Sequence, residues 1–249
     1  ANALISLGLK KGSNVAFMAN NCHEFVEAYF AVAKAGMIIV PINARFNAHE
    51  ITYALNHSES AVFIYQKEFD DIAKKARENL TTVKHSIKIG DLEEDGLSYE
   101  TLLSSATPEE PKVPVNIDDL VMIMYTSGAT GDAKGVIISQ RNLMATTNSM
   151  TLELRIVPED KSLLVMPMFH AGGLWPTLTI CYRGAQTIIL PRFDEDKVLQ
   201  LIEKKQVTLL NLVPTTLRRL ATRSDLKKYN LESIRLIMYA GAAIPLHQL

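Results

Sequence analysis

Cysteine is scarce in this sequence, and so is an excess of charge of either sign. The two cysteines, Cys22 and Cys181, lie far apart, with no CxxC pair and no zinc-like spacing to histidine. The sequence therefore predicts neither a disulfide framework nor a metal site formed by protein ligands, and it favours a reducing, cytoplasmic location. The 26 basic against 27 acidic residues give a net charge of -1, which argues against a broad surface for nucleic acid or anionic lipid.

One long apolar run has no charged residue. Ser162 to Tyr182, with the sequence SLLVMPMFHAGGLWPTLTICY, lacks Asp, Glu, Lys and Arg over a length that could span a bilayer. Two prolines, two glycines and a histidine interrupt the run, and regular α/β patterning flanks it, so we predict no transmembrane segment. We expect a buried strand followed by a glycine-rich site loop.

The two ends of the sequence lack features of a complete chain. No signal peptide precedes Ala1, and the first residues read as the middle of a domain. The last residues, AGAAIPLHQL, follow a strand-like run, and nothing after them covers or continues a sheet. We therefore expect the sequence to be a piece of a longer protein.

Short apolar runs alternate with amphipathic segments along the chain. Residues 23 to 36, HEFVEAYFAVAKAG, place apolar side chains on one helical stripe that ends at Gly36, and the buried strand MIIVPI follows. Asn47 and Glu50 have the spacing of a capping box for the next helix. Continuous apolar strands separated by helices predict an α/β fold with parallel β-sheets flanked by helices on both faces.

The later half of the sequence repeats this rhythm with enough strands for a second sheet. The runs LVMIMYT, VIIS, LLVMP, QTIIL, TLLNLVP and RLIMYAG read as strands, and Asp194 is placed to cap the helix between the fourth and fifth of them. We therefore expect two α/β subdomains, a first over 1–155 and a second, partial one over 156–249.

A glycine motif, residues 126–135 with the sequence TSGATGDAKG, joins two of these strands. Its glycines allow tight turns that bring N–H groups close to an anion, its threonines and serine add hydroxyl donors, and Lys134 adds a positive charge. Each hydrogen bond to a charged partner is worth about 1.5 to 3 kcal/mol. The motif therefore predicts a site for a triphosphate.

The glycine motif does not match the P-loop of NTPases. That loop requires glycine directly before its lysine and a hydroxyl residue directly after it, whereas Ala133 and Gly135 flank Lys134 here. A surface turn that binds no ligand is the other interpretation of these residues.

The glycine motif closely resembles the signature TSG[ST]TGxPKG of the adenylate-forming, or AMP-binding, superfamily. Further stretches resemble motifs of that family, in the family's order and over almost the entire chain: NCHEFVEAYFAVAKAGMIIVPINARFNAHEI, MPMFHAGGL, VPTTLRRL and LIMYAGAAIP. Two positions depart from the signature. Ala129 stands where the family has Thr or Ser, which removes a hydroxyl donor, and Ala133 replaces the usual proline, which leaves the loop less rigid.

The resemblance implies the N-terminal domain of an acyl-CoA synthetase. Such an enzyme converts a carboxylic acid and ATP, with Mg²⁺, to an acyl-adenylate and pyrophosphate, and then passes the acyl group to coenzyme A. A fatty acid is the favoured substrate; an aryl- or succinylbenzoate-type CoA ligase and a non-catalytic nucleotide- or acyl-binding module are the alternatives. The resemblance allows a homodimer but does not fix the oligomeric state. The resemblance assigns the ATP phosphates to Thr126, Ser127, Gly128, Ala129, Thr130, Gly131 and Lys134.

His170 lies in FHAGG, after a predicted strand and beside two glycines that leave room for a ligand. A lone histidine in apolar surroundings is more often a core side chain bonded to backbone, but the resemblance implies that His170 is catalytic, orienting the substrate carboxylate or gating the pocket. For the small residues Ala240–Ala243 the alternative role is close packing of a strand against a helix, and for Trp175 it is that of a core side chain. The implied acyl pocket is lined by His170, Trp175, Ala240, Gly241, Ala242 and Ala243.

The family's later motifs have no counterpart up to Leu249. They are a YGxTE segment, a ribose-binding aspartate and a mobile C-terminal lid domain that carries a lysine for adenylation. The resemblance therefore implies that residues 1–249 are inactive, or nearly so, by themselves.

Overall fold

The computed structural model describes residues 1–90, 97–126 and 133–243. The chain divides into two units, Ala1–Met144 and Ala145–Leu249. Each unit has its own sheet, and the two sheets with their helices confirm the predicted α/β class. The domain boundary predicted after residue 155 stays a prediction. No helix in these three ranges combines the length and the hydrophobicity that a membrane span needs.

The first unit is built on a seven-stranded sheet with the order β5-β4-β3-β1-β2-β6-β7. All neighbours are parallel except β6 and β7, which form an antiparallel hairpin at one edge of the sheet. The strands are β1 Asn14–Met18, β2 Ile38–Pro41, β3 Ser60–Gln66, β4 His85–Ile89, β5 Leu97–Ser98, β6 Leu120–Thr126 and β7 Lys134–Ser139. The helices are α1 Asn2–Ser6, α2 His23–Lys34, α3 Ala48–His57, α4 Asp70–Arg77, α5 Tyr99–Ser105 and α6 Gln140–Glu153, within which the division between the units falls.

Helices cover both faces of this sheet because its central strands are apolar on both sides. Ala16 and Met18 of β1 pack in one core with α3 and α4. Phe17, between them, points to the opposite face, where its ring centroid lies 4.4 Å from that of Phe25 in α2. The predicted capping box begins α3: the Asn47 side chain accepts from the Glu50 N–H at 3.0 Å, and the Glu50 carboxylate accepts from the Asn47 N–H at 2.8 Å.

The second unit is built on a four-stranded parallel sheet with the order β11-β10-β8-β9. Ile180 of α7 packs against Leu209 on one face, while α8 and α9 pack in the core of the other. Asp194 caps α8 as predicted, accepting from the Lys197 N–H at 2.9 Å. The elements are β8 Lys161–Leu164, α7 Ala171–Tyr182, β9 Gln186–Ile189, α8 Glu195–Lys205, β10 Leu209–Leu212, α9 Pro214–Ala221 and β11 Leu236–Tyr239.

The uncharged run Ser162–Tyr182 is mainly a strand end and a helix. Residues 165–170 connect the two and contain no glycine, whereas both glycines of the expected loop lie in the first turn of α7. The expectation of a glycine-rich loop was wrong because tertiary packing overrides the low helix propensity of glycine and proline here. Six side chains or backbone positions of α7 are buried, namely Gly173, Leu174, Pro176, Thr177, Thr179 and Ile180.

Candidate functional site

The β6–β7 hairpin carries the two ends of the glycine motif. Thr126 pairs with Lys134 in the ladder, and the Thr126 hydroxyl donates a hydrogen bond of 3.4 Å to the Lys134 carbonyl. Both residues are exposed at the carboxyl end of β6, the edge at which open α/β sheets bind ligands. The structure thus brings together two of the predicted phosphate ligands. The other five lie outside the described residues: Ser127, Gly128, Ala129, Thr130 and Gly131.

The last glycine of the motif is required by the packing of the hairpin. A Cβ atom at Gly135 would lie 2.7 Å from Cγ2 of Ile123 in β6, well inside the contact distance of two carbon atoms. Ile123 is β-branched, so its methyl group has little rotamer freedom to move away. Gly135 therefore lets the two arms approach, a role that sequence reasoning did not assign to it.

The parallel strands β8, β10 and β11 end at one edge of the second sheet. Just beyond β11, the Ala240 N–H donates to the Leu212 carbonyl at 3.3 Å. Gly241 has a φ of +89°, which favours glycine, and a Cβ there would lie 3.8 Å from Cγ1 of Val213. The predicted pocket residues Ala240, Gly241, Ala242 and Ala243 are all exposed along this edge.

His170 lies at the start of α7. Its backbone is extended, its carbonyl accepts from the N–H groups of Gly173 and Leu174 at 3.0 and 2.9 Å, and its side chain makes no capping hydrogen bond. The imidazole is exposed, with its centroid 4.6 Å from that of the Phe169 ring. Because the ring is on the surface, the alternative of a core histidine does not hold for His170.

The sequence led us to expect that both glycines after His170 leave space for a ligand. Only one of them does. A Cβ at Gly173 would lie 2.3 Å from the carbonyl oxygen of Pro167, so the space beside Gly173 is filled by the preceding backbone. A Cβ at Gly172 would meet only the end of the Met166 side chain, at 3.5 Å. Gly173 is thus a packing residue that lets α7 begin against the turn before it.

Asn211, which sequence reasoning missed, holds the first turn of α7. Pro176 has no N–H, so it cannot bond the carbonyl four residues before it, which belongs to Gly172. The side-chain amide of Asn211, in the buried strand β10, donates to that carbonyl instead. A polar residue inside the apolar run TLLNLVP was the only signal for it.

An apolar pocket lies between α7 and the second sheet. It encloses about 320 Å³, including its open mouth, and Pro176, Thr179, Asn211 and Met238 are among its lining residues. Trp175, predicted for the acyl pocket, is half-buried in the same helix. The lining also includes Leu209 and Leu236, the first residues of β10 and β11, so the pocket extends toward the start of these strands, away from Ala240.

The part of the chain that the structure describes contains no group of three His, Cys, Asp or Glu side chains that could hold a metal ion. The two cysteines are free thiols, and burial raises the pKa of the Cys181 thiol. Neither has the depressed pKa that activates a nucleophilic cysteine.

Comparisons with known proteins identify relatives of this chain. The feruloyl-CoA synthase of Amycolatopsis sp is 31% identical over 250 residues, covering 98% of this chain and 47% of its own. The long-chain-fatty-acid–CoA ligase FadD13 of Mycobacterium tuberculosis is 32% identical over 248 residues, covering 98% and 48%. The chain thus spans about half the length of these curated relatives.

Solved structures have the same fold. The inhibitor-bound N-terminal domain of FACL13 from Mycobacterium tuberculosis superposes with a TM-score of 0.92 at 31% identity, over 99% of this chain and 61% of that one. ATP-bound MatB from Rhodopseudomonas palustris superposes with a TM-score of 0.84 at 29% identity, over 97% and 47%. The family model of AMP-binding enzymes matches residues 1–249. The chain therefore belongs to the family of AMP-binding enzymes and corresponds to the N-terminal domain of its acyl-CoA ligases.

Proposed function

We propose that the protein is an AMP-forming acid–CoA ligase, cytoplasmic in location, and that this chain carries its phosphate-binding hairpin and part of its acid pocket. The carboxylate oxygen of the acid attacks the α-phosphorus of ATP, the bond to the β-phosphate breaks, and pyrophosphate leaves with the electron pair. The thiolate of coenzyme A then attacks the acyl carbon, and AMP leaves. Residues 1–249 by themselves are expected to be inactive or nearly so.

The observation that carries this proposal is the pairing of Thr126 with Lys134 at the carboxyl end of β6. A carboxylate is a weak nucleophile, so the reaction depends on positioning and on neutralising the charge of the departing pyrophosphate. Lys134 supplies a positive charge at this edge, and Thr126 supplies a hydroxyl donor. We assign the β- and γ-phosphates to the whole predicted set: Thr126, Ser127, Gly128, Ala129, Thr130, Gly131 and Lys134.

His170 is proposed to orient the substrate carboxylate or to gate the acid pocket. Its exposed ring at the first turn of α7 supports contact with a ligand, and it need not act as a base because the carboxylate is already ionised. The exposed small residues Ala240–Ala243, together with Trp175, are proposed to line the pocket for the body of the acid.

Mg²⁺ is proposed to bind together with ATP, through its phosphates. This ion is commonly bound through substrate phosphates with only one or two carboxylates. The ion would neutralise charge on the phosphates.

A fatty acid is the proposed substrate, with an aromatic acid as the second candidate. The apolar pocket beneath α7 supports an acid with a hydrophobic body. The relatives include a long-chain-fatty-acid ligase, a feruloyl-CoA synthase and a 2-succinylbenzoate–CoA ligase of Bacillus licheniformis at 32, 31 and 30% identity. Such similar identities do not favour one substrate over another.

A panel of acids tests the proposal. Pyrophosphate release by the full-length protein would be followed with saturated fatty acids of increasing length, ferulate and 2-succinylbenzoate, each with ATP, Mg²⁺ and CoA. We expect release that depends on the acid and is fastest with a fatty acid; faster release with ferulate would select the aromatic candidate. Binding of ATP without release for any acid would instead identify a non-catalytic nucleotide-binding module.

A further inference from the structure

Three ring side chains pack at the base of the β6–β7 hairpin. Tyr53 and His57 lie one turn apart on α3, and their rings stack with centroids 5.2 Å apart and planes 20° apart. Tyr125 of β6 packs edge-on against both, with centroids 6.3 Å from Tyr53 and 5.8 Å from His57. This ring cluster of Tyr53, His57 and Tyr125 connects α3 to the hairpin.

Hydrogen bonds from the ring cluster reach both arms of the hairpin. Nδ1 of His57 lies 2.7 Å from the hydroxyl of Tyr125, and Tyr125 directly precedes Thr126. The Tyr53 hydroxyl donates to the carbonyl of Ala133 at 3.2 Å, one residue before Lys134. Burial raises the pKa of Tyr125 to about 12, so its phenol keeps its proton at neutral pH.

Helix α3 is a fixed support for these contacts. Ile51, Ala54 and Leu55 anchor it in the core, and all three are essentially inaccessible to solvent. Its first turn is fixed by the capping box. Tyr53 and Tyr125 carry few rotatable bonds, so their contacts are made at a low cost in side-chain entropy.

We propose that Tyr53, His57 and Tyr125 are positioning residues for ATP: they hold the two ends of the glycine motif so that Thr126 and Lys134 meet the phosphates. This inference rests on the proposed function. The ring cluster touches no substrate; it acts through the backbone of Ala133 and through the strand that ends at Thr126. Loss of the ring cluster should therefore weaken the binding of ATP and leave the binding of the acid unchanged.

The test uses Tyr53→Phe and Tyr125→Phe in the full-length protein, because each keeps the ring and removes one hydroxyl. Tyr99→Phe is the matched control: its hydroxyl donates to Glu27 at 2.7 Å, in the same unit but away from the hairpin. We expect each hairpin variant to raise the Kd and KM for ATP roughly 2- to 10-fold, as the loss of one hydrogen bond predicts. The KM for the acid should not change, and Tyr99→Phe should bind ATP like the unmodified protein.

Calorimetric titration with ATP and steady-state kinetics together separate the outcomes. ATP affinities that match the control, or KM values for ATP and acid that rise by the same factor, would overturn the positioning role while leaving the ligase proposal in place. An unmodified protein that binds no ATP would overturn both.

Discussion

At the scale of single residues, Lys134 is the side chain for which charge matters most. If the proposed phosphate site is correct, Lys134→Ala in the full-length protein removes a charge-assisted hydrogen bond to a phosphate, worth about 1.5 to 3 kcal/mol. We therefore expect the KM for ATP to rise roughly 10- to 150-fold, with the KM for the acid unchanged, as measured by steady-state pyrophosphate release.

The control for this change is Lys84→Ala, which removes another exposed lysine of the same unit, just before β4. It should leave both KM values as they are. An ATP KM that is the same in Lys134→Ala as in Lys84→Ala would remove Lys134 from the phosphate site.

Asn211 offers a second test, because its bond replaces one that Pro176 cannot make. Asn211→Leu leaves the Gly172 carbonyl without its donor and should lower the free energy of unfolding by about 1 to 3 kcal/mol, measured by urea denaturation. Pro176→Ala restores an N–H in α7 that can bond this carbonyl. We expect Asn211→Leu to lower the free energy of unfolding less in the Pro176→Ala background than in the unmodified protein. Equal decreases would show that the Asn211 amide does not replace the missing helical bond.

Site residues could be predicted where the glycine motif fixes the chemistry locally. Thr126 and Lys134 are only eight residues apart in the sequence, so a common role followed from their spacing. Asn211 could not be assigned in this way, since its partner Gly172 is 39 residues away and only the fold brings them together. The ring cluster could not be assigned for the same reason, since only the fold brings α3 beside β6.

At the scale of elements, helix α7 shows where local propensity misleads. Its sequence AGGLWPTLTICY has two glycines in the first turn and an internal proline, which read as a loop. Packing reverses this preference. Gly173 fits against the turn at Pro167, and the hydroxyls of Thr177 and Thr179 donate to the carbonyls four residues before them, at 2.7 and 2.8 Å.

The two glycines of α7 provide a matched pair of variants. Gly173→Ala places a methyl group against the Pro167 carbonyl and should lower the free energy of unfolding by about 1 to 3 kcal/mol. Gly172→Ala meets only the flexible end of Met166 and should stay within about 0.5 kcal/mol of the unmodified protein. Urea denaturation of both variants checks this; equal effects would contradict the close approach at Gly173.

Three elements of the first unit meet at Asp70, and their contact makes stability depend on pH. Asp70 of α4 accepts from the buried Lys88 of β4 at 2.8 Å and from the Tyr65 hydroxyl of β3 at 3.1 Å. The Lys88 hydrogen bond is the main reason that the pKa of Asp70 falls from 3.8 to about 2. A carboxyl with a lowered pKa in the folded state stabilises the protein above its unfolded pKa, and this is lost as pH falls toward the folded pKa.

The Asp70 contribution should be fully present above about pH 4 and lost between about pH 4 and 2, amounting to about 1 to 2 kcal/mol after allowance for solvent access. The measurement is the free energy of unfolding against pH for the unmodified protein and for Asp70→Asn. We expect the variant to be less stable near neutral pH and to lose less stability in this range. Parallel pH curves would contradict the assignment.

At the scale of the whole molecule, the alternation of apolar strands with amphipathic helices was enough to predict the α/β class. It did not predict the antiparallel direction of β7, because VIIS is apolar in either direction and periodicity does not encode the direction of a strand. Short elements were also missed: α1, α5 and β5 have seven residues or fewer and give too few turns or alternations for a pattern.

The central claim is that this fold binds ATP at the β6–β7 hairpin in order to adenylate an acid. The most direct measurement is the exchange of radiolabelled pyrophosphate into ATP by the full-length protein, with and without a fatty acid. The account predicts exchange that requires the acid, saturates with it and falls sharply in Lys134→Ala. A folded protein that gives no exchange with any acid of the panel, or an exchange rate that does not depend on the acid, would contradict this claim.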